Sequence, residues 1–387
     1  MSAAAGADLY DVAILGGGLA GLSLAARLAE PRFAGLRVLV AEGRHAYRRD
    51  RTWSYWTGAR AHPFGAAVAQ GWDRWAVVAG TRRVVREAPG VRYEAVPADR
   101  LYDVAVRRIR EAPWIDLRLG AQAEASEGDG CVHVRVDGEP VRAALAFDTR
   151  PDPALGRHGL VQRFVGQEVV TAAPAFDPGV AVLMDFEADR AGVHFTYVLP
   201  WSPCHALVED TWFLRPGVEA PDHRAAIRAY LARRYHVTQY EIGFEEEGAL
   251  PMDPVFRPSM HRGSRLLPLG APAGAGRPST GYAFNAVQAQ CDAVADALGQ
   301  GVQPGPAARR PAVIRFMDAT LLAMLARGPE MAPALFAGLF ERSPAGPLVR
   351  FLNDGAGARD LVSVALAMPV GATVAASVRH MARRGSA

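Results

Sequence analysis

Residues 9–44 read LYDVAILGGGLAGLSLAARLAEPRFAGLRVLVAEGR, and this stretch decides the fold. The apolar run 12–15 enters Gly16-Gly17-Gly18-Leu19-Ala20-Gly21 and continues into an alanine- and leucine-rich segment of helical period. A second apolar run, 38–41, stops at Glu42, 21 residues past Gly21. Strand, glycines, helix, strand and acid in that order make a βαβ unit that holds an adenine dinucleotide. Gly16 permits the tight turn out of the first strand. Gly18 lets the backbone approach a pyrophosphate, which then rests on the positive N-terminus of the helix. Gly21 permits close helix–strand packing, and Glu42 accepts hydrogen bonds from a ribose hydroxyl. An acid there repels the extra phosphate of NADP, so the motif favours FAD or NAD.

The totals bound the rest. A chain of 387 residues, half of them hydrophobic and about a fifth charged, holds one large or two moderate domains with a proper core. It reads as globular. All 43 basic residues are arginine, which removes Schiff-base lysine chemistry and a P-loop lysine. Cys131, Cys204 and Cys291 lie far apart without metal spacing and read as reduced residues of a cytosolic protein. No metal site and no nucleic-acid partner is expected, and the N-terminus MSAAAGADLYD shows no signal peptide.

Beyond the βαβ unit, residues 45–64 form an arginine- and aromatic-rich loop with Thr52-Trp53-Ser54-Tyr55-Trp56 at its centre. It follows the acid-bearing strand, where loops line the ligand crevice. Short strands are expected within 72–96, a helix over 99–111, strands at 115–119 and 131–136, and a strand at 144–148 that returns to the parallel sheet. From about 160 to 255 the pattern becomes longer strands interrupted by a helix at 222–235, the signature of an antiparallel sheet inserted into a dinucleotide fold. Period-two alternation over 204–211 places His205, Leu207, Glu209 and Thr211 on one face and Asp210 on the other. Glu245, Glu246 and Glu247 cluster on the following strand. A late strand–turn–helix, residues 266–298, carries Gly270 and the run PSTGY at 278–282. A second helix N-terminus there meets the flavin end of FAD, so FAD is favoured over NAD as the resident cofactor.

The fold class expected is therefore α/β, a Rossmann-type FAD-binding fold with an inserted antiparallel-sheet substrate domain and a helical C-terminal tail. The divisions fall at 1–150 for the FAD-binding region, 151–262 for the substrate region, 263–304 for the return to the FAD-binding domain, and 305–387 for the tail. Helices are expected near 311–326, 331–341 and 360–384.

These motifs together resemble those of the bacterial lycopene cyclases. The likeness runs nearly end to end. Beside the dinucleotide motif it is carried by Thr52-Trp53-Ser54, Gly166-Gln167, Leu183-Met184-Asp185, Glu209-Asp210-Thr211, the pattern EExGxLP over 245–251, PSTGY over 278–282 and Arg350-Phe351-Leu352. Asp148-Thr149-Arg150 departs from the family's Asp-Gly-Arg. Related flavin hydroxylases carry Gly-Asp where this chain has Gly270-Ala271, which speaks against a hydroxylase or desaturase of a lipophilic substrate. A third reading is a polyene carrier without catalysis.

The resemblance implies cyclisation of the linear ends of lycopene to β-ionone rings, an isomerisation that uses reduced FAD in a non-redox role with NADPH as reductant. It implies catalytic carboxylates at Glu209, Asp210 and Glu246, with Glu209 the first choice for the initiating acid. FAD contacts are implied at Gly16, Gly18, Gly21, Glu42, Thr52, Trp53, Gly270, Thr280, Gly281 and Tyr282. Trp53 and Tyr55 are placed to offer π-faces to a cation. From residue 305 onward there are ten arginines against five acids. Residues 361–378 carry no charge, but Pro369 and Gly371 interrupt them. The expectation is a cytoplasmic protein whose basic, apolar tail packs on the body and attaches peripherally to the inner membrane.

Overall fold

The computed structural model describes residues 9–58, 61–128, 130–151, 159–187, 189, 191–254 and 263–368. A mixed α/β architecture is built on three sheets. The first places Ile115–Leu119, Val38–Glu42, Leu9–Leu15 and Glu139–Asp148 side by side in parallel. Leu266–Pro268 continues beside the C-terminal end of Glu139–Asp148, and the hairpin strands Ala123–Glu127 and Val132–Val136 finish the edge. Val38–Glu42 is buried at every position, as expected of a parallel strand covered on both faces. Helices Leu19–Leu28 and Phe284–Gly299 pack against one another over this sheet. The close packing of the turns around helix Leu19–Leu28 depends on small residues. A Cβ on Gly21 would lie 1.9 Å from the Gly16 carbonyl oxygen, and one on Gly270 would lie 2.5 Å from the Ala20 Cβ.

The second sheet runs Glu241–Met252, Leu160–Val170, His205–Leu214, Val193–Ser202, Val180–Glu187, Arg74–Ala79 and Arg82–Glu87. Helix His223–Tyr235 covers its back. That helix starts where the Asp222 carboxylate accepts the backbone N–H groups of Arg224 and Ala225, a cap of about 1 kcal/mol. Thr52–Trp56, Gln70–Trp72 and Tyr93–Pro97 make a small third sheet between the two large ones.

Two features of the sequence reading change. The substrate sheet is not confined to 151–262, because Arg74–Ala79 pairs in parallel with Val180–Glu187 and brings Arg82–Glu87 with it. That pairing joins segments about a hundred residues apart through buried apolar side chains, which no local pattern records. The tail contains a helix at Ala345–Leu352 that periodicity did not reveal, beside Ala312–Leu325, Ala332–Arg342 and Ala358–Ala367. The expected continuation of the last helix to 384 lies outside the described residues. Among the described residues no helix is long and apolar enough to cross a membrane.

The tail fixes the PSTGY turn by a buried ion pair. Arg277 and Asp318 meet at 2.9 Å with side chains 1% and 3% exposed, and the Ser279 hydroxyl donates to the same Asp318 oxygen at 2.7 Å. Breaking a buried pair on one side leaves an uncompensated charge, at a cost of about 3–5 kcal/mol. Asp318→Ala should therefore lower the denaturant midpoint strongly, whereas Arg277→Met combined with Asp318→Leu should recover most of the loss. Equal loss in the single and double variants, read by equilibrium unfolding, would show that the charge is not what matters.

Candidate active site

One cavity of about 1070 Å³ is lined by both the glycine-rich turn and the front face of the substrate sheet. From the βαβ unit come Gly16, Gly18 and Glu42; from the substrate sheet, Glu209 and Glu246; from the late turn, Thr280, Gly281 and Tyr282. Apolar side chains of the tail, including Met317, Leu321, Phe336, Leu339 and Phe340, complete the wall.

The dinucleotide end fits FAD. Gly16 holds φ +96°, a turn that L side chains rarely adopt. Gly18 caps helix Leu19–Leu28 without a side-chain partner, so the first-turn N–H groups are free of a competing cap. A Cβ on Gly18 would meet only an Arg44 nitrogen at 3.8 Å, so its glycine leaves a cradle that opens into the cavity. Burial works against charge on Glu42. Hydrogen bonds from Arg44 and from the Gly17 N–H, at 2.9 and 2.5 Å, outweigh it and hold the carboxyl below the usual carboxylate range. It is thus an anionic acceptor suited to ribose hydroxyls. The second helix of the site, Phe284–Gly299, also starts without a side-chain cap beside Thr280, Gly281 and Tyr282. Thr52 and Trp53 line the cavity. Gly270 instead serves the contact with helix Leu19–Leu28, and its neighbour Ala271 reaches the cavity wall.

The acidic end is set by strand register. Glu209 lies opposite Tyr197 on one neighbouring strand and opposite Gly166 on the other, and Gly166 in turn lies opposite Glu246. Directly opposed residues share a face, so both carboxylates point from the front of the sheet. Glu209 retains some accessible surface, but that surface faces the cavity. Its depth in the protein pushes the carboxyl up to about 7, and the charge of Asp210 adds to this against a hydrogen bond from Thr211. Burial is also the main cause that raises Glu246, to about 8, with the charge of Glu209 contributing. The Tyr93 hydroxyl joins those of Tyr197 and Tyr282 at 3.0 and 3.2 Å. Burial pushes all three phenols well above their ordinary range, so they stay neutral beside the acids.

Asp210 is not brought to the cavity. It projects from the back of the sheet, as alternation along the strand requires, and accepts hydrogen bonds from His194 at 2.6 Å, His223 at 2.7 Å and Trp212 at 3.1 Å. Burial disfavours its charge, but the two histidines hold its carboxyl below the usual range. Its place among the catalytic carboxylates implied by the resemblance is corrected accordingly, while the opposite face that alternation assigned it is the one observed. Tyr55 is also displaced from its expected place. It stacks on Phe284 at 4.3 Å and bonds Glu94 and His62, away from the cavity wall. Sequence reasoning missed Tyr93 and Tyr197, because an aromatic in a strand ordinarily reads as core.

The fold is that of flavin-dependent monooxygenases and halogenases. Similar solved structures include a geranylgeranyl bacteriochlorophyll reductase-like protein from Thermoplasma acidophilum, with TM-score 0.64, 13% identity and coverage of 92% of this chain and 96% of that one. A flavin-dependent brominase superposes with TM-score 0.61 at 16% identity, covering 97% and 100%. The p-nitrophenol 4-monooxygenase of Pseudomonas putida gives 0.56 at 17%, covering 92% and 96%.

Within that class the sequence is decisive: the chain belongs to the lycopene cyclase family, whose model, Lycopene cyclase protein, matches residues 11–378. It is 27% identical over 292 residues to the lycopene beta-cyclase of Pantoea ananas, covering 73% of each chain. It is 29% identical over 320 residues to that of Paracoccus sp. (strain N81106 / MBIC 01143), covering 79% of this chain and 77% of the relative.

Proposed function

We propose that the protein closes the linear ends of lycopene into β-ionone rings by an acid-initiated, non-redox isomerisation with reduced FAD, NADPH being the reductant. The observation that carries this reading is Glu209, a carboxyl raised to about 7 that faces a cavity walled largely by apolar side chains. A general acid works best when its pKa lies near the working pH. Glu209 gives its proton to the terminal double bond of the polyene, and the next double bond attacks the resulting cation to close the ring. Loss of a proton from the ring then restores a neutral olefin. Tyr93, Tyr197 and Tyr282 offer neutral aromatic walls, and Trp53 a further π-face, which suit a passing positive charge. The apolar tail side chains exclude water that would trap the cation as an alcohol. When bound in reduced form, the flavin supplies negative charge beside the polyene end.

Expression of the chain in a lycopene-accumulating bacterium should convert the linear pigment to species with β-rings, separated by chromatography. Unchanged lycopene would sink the reading. A hydroxylase or desaturase would instead consume oxygen or NADPH with every turnover. A carrier would hold the pigment with its mass and spectrum unaltered.

The substrate's insolubility supports peripheral attachment to the inner membrane. Val362 and Leu366, one turn apart on Ala358–Ala367, are 58% and 73% exposed, in a tail rich in arginine. Such a surface suits an anionic bilayer. Fractionation of the same cells should place the protein with the membranes, and full recovery in the soluble fraction at low salt would count against attachment.

A further inference from the structure

The reaction proposed above needs a second group. A proton added to the terminal double bond must be matched by one removed from the new ring, and that site decides which ring isomer forms. The register singles out Glu246. Glu209, Gly166 and Glu246 sit in a row on three adjacent strands, which puts the two glutamate Cα atoms roughly 10 Å apart, two strand spacings. Glycine is disfavoured inside a strand unless something approaches closely. A Cβ on Gly166 would lie 3.2 Å from the Glu246 Cγ, 3.4 Å from its Oε1 and 3.2 Å from a Leu207 methyl. The absent side chain leaves room for the Glu246 side chain to lie over the intervening strand. Glu246 is 4% exposed, lines the cavity, and its Oε2 is buried without a hydrogen-bond partner. An unpartnered carboxylate oxygen in such a place is costly, which makes Glu246 a group that gains from taking up a proton.

We propose that Glu246 is the base that ends the reaction, taking the proton from the ring carbon joined to the polyene, while Gly166 leaves room for its side chain on the strand between it and Glu209. This rests on the cyclase reading. Burial, the largest cause, raises both acids, and the charge of Glu209 adds to the rise of Glu246; that addition is absent while Glu209 holds its proton. Thr52 offers its hydroxyl and backbone N–H to Glu246, and Arg49 adds positive charge, all of which favour the anion. Glu209 has the anionic Asp210 behind it, which favours the proton. Once Glu209 has given up its proton, its new charge raises the proton affinity of Glu246. The base thus strengthens at the step where it is needed. The balance closes. One C–H bond forms at the terminal double bond with the Glu209 proton, and one C–C bond closes the ring. One ring C–H bond breaks, its electron pair becoming the conjugated ring double bond and its proton going to Glu246. Transfer from Glu246 to Glu209 restores the starting state with no electrons exchanged.

The test uses purified Glu246→Gln with its FAD content verified, incubated with lycopene in liposomes in D2O with reduced flavin. β-Ring formation should fall by about 10²–10⁴-fold, the range of a general base. Without its base the cation must lose a proton elsewhere or return to lycopene. Support is therefore either rings whose double bond lies outside the polyene conjugation, or recovered lycopene with deuterium at the vinylic CH carbon of its terminal double bond. Absence of both, whether β-rings alone form or nothing forms, overturns the assignment. Should Glu246→Gln fail to retain FAD, Glu246→Asp is read by the same two signatures. Wild-type protein that makes no ring in this assay sinks the cyclase reading itself, independently of the variant.

Discussion

Glu209→Gln should abolish ring formation while FAD content and lycopene binding stay near wild type. The amide keeps shape and volume but has no acidic proton. A general acid contributes about 10²–10⁴-fold to rate; the loss here should reach or exceed the upper end, because the apolar wall keeps out water that would stand in for the carboxyl. Glu209→Asp should be intermediate, its carboxyl withdrawn by one methylene. Asp210→Asn should act at a distance, since its side chain is held by His194 and His223 on the back of the sheet. Removal of that charge lowers the proton affinity of Glu209 and moves the alkaline limb of the wild-type profile, near pH 7, to lower pH. The sign for stability follows. Glu209 binds its proton more tightly folded than unfolded, so this contribution is full below its unfolded pKa and is lost as pH rises through about 7. Glu209→Gln should flatten that part of the stability curve. Ring formation at wild-type rate by Glu209→Gln, measured by pigment chromatography, would move the acid elsewhere.

Gly18→Val should yield a folded protein that does not bind FAD. Gly18 has φ −78° and ψ −162°, extended backbone open to any residue, and its Cβ direction is clear of protein apart from the Arg44 side chain. A valine there projects into the cradle meant for the pyrophosphate. Gly21→Val, by contrast, drives a Cβ onto the Gly16 carbonyl and should damage the fold. The two variants separate ligand loss from unfolding. Flavin absorbance and circular dichroism check them, and a full flavin spectrum retained by folded Gly18→Val would refute the cradle.

The parts of this molecule legible in the sequence are those written in short-range pattern. The glycine turn, the acid on the second strand and the amphipathic helix each occupy one window, and alternation alone put Glu209 and Asp210 on opposite faces. Register between strands is another matter. That Gly166 stands between Glu209 and Glu246 depends on which strands become neighbours, and residues 166, 209 and 246 are far apart in the chain. The same limit hid the recruitment of Arg74–Ala79 into the substrate sheet. It hid Tyr93 and Tyr197 as well, because a tyrosine in a core and one at a cavity wall have the same local signature. The buried pair Arg277–Asp318 is a further instance: each partner reads as an ordinary surface charge until the tail helices close over the PSTGY turn.

The central claim is that a cavity carboxyl closes rings without net electron transfer. Its most direct measurement is a single-turnover experiment without oxygen, with lycopene in liposomes and the flavin reduced beforehand by a chemical reductant. The account predicts a product isomeric with lycopene, carrying β-rings, formed while the reduced-flavin spectrum stays unchanged. Oxidation of one flavin per ring closed, or a product differing from lycopene in mass, would contradict it.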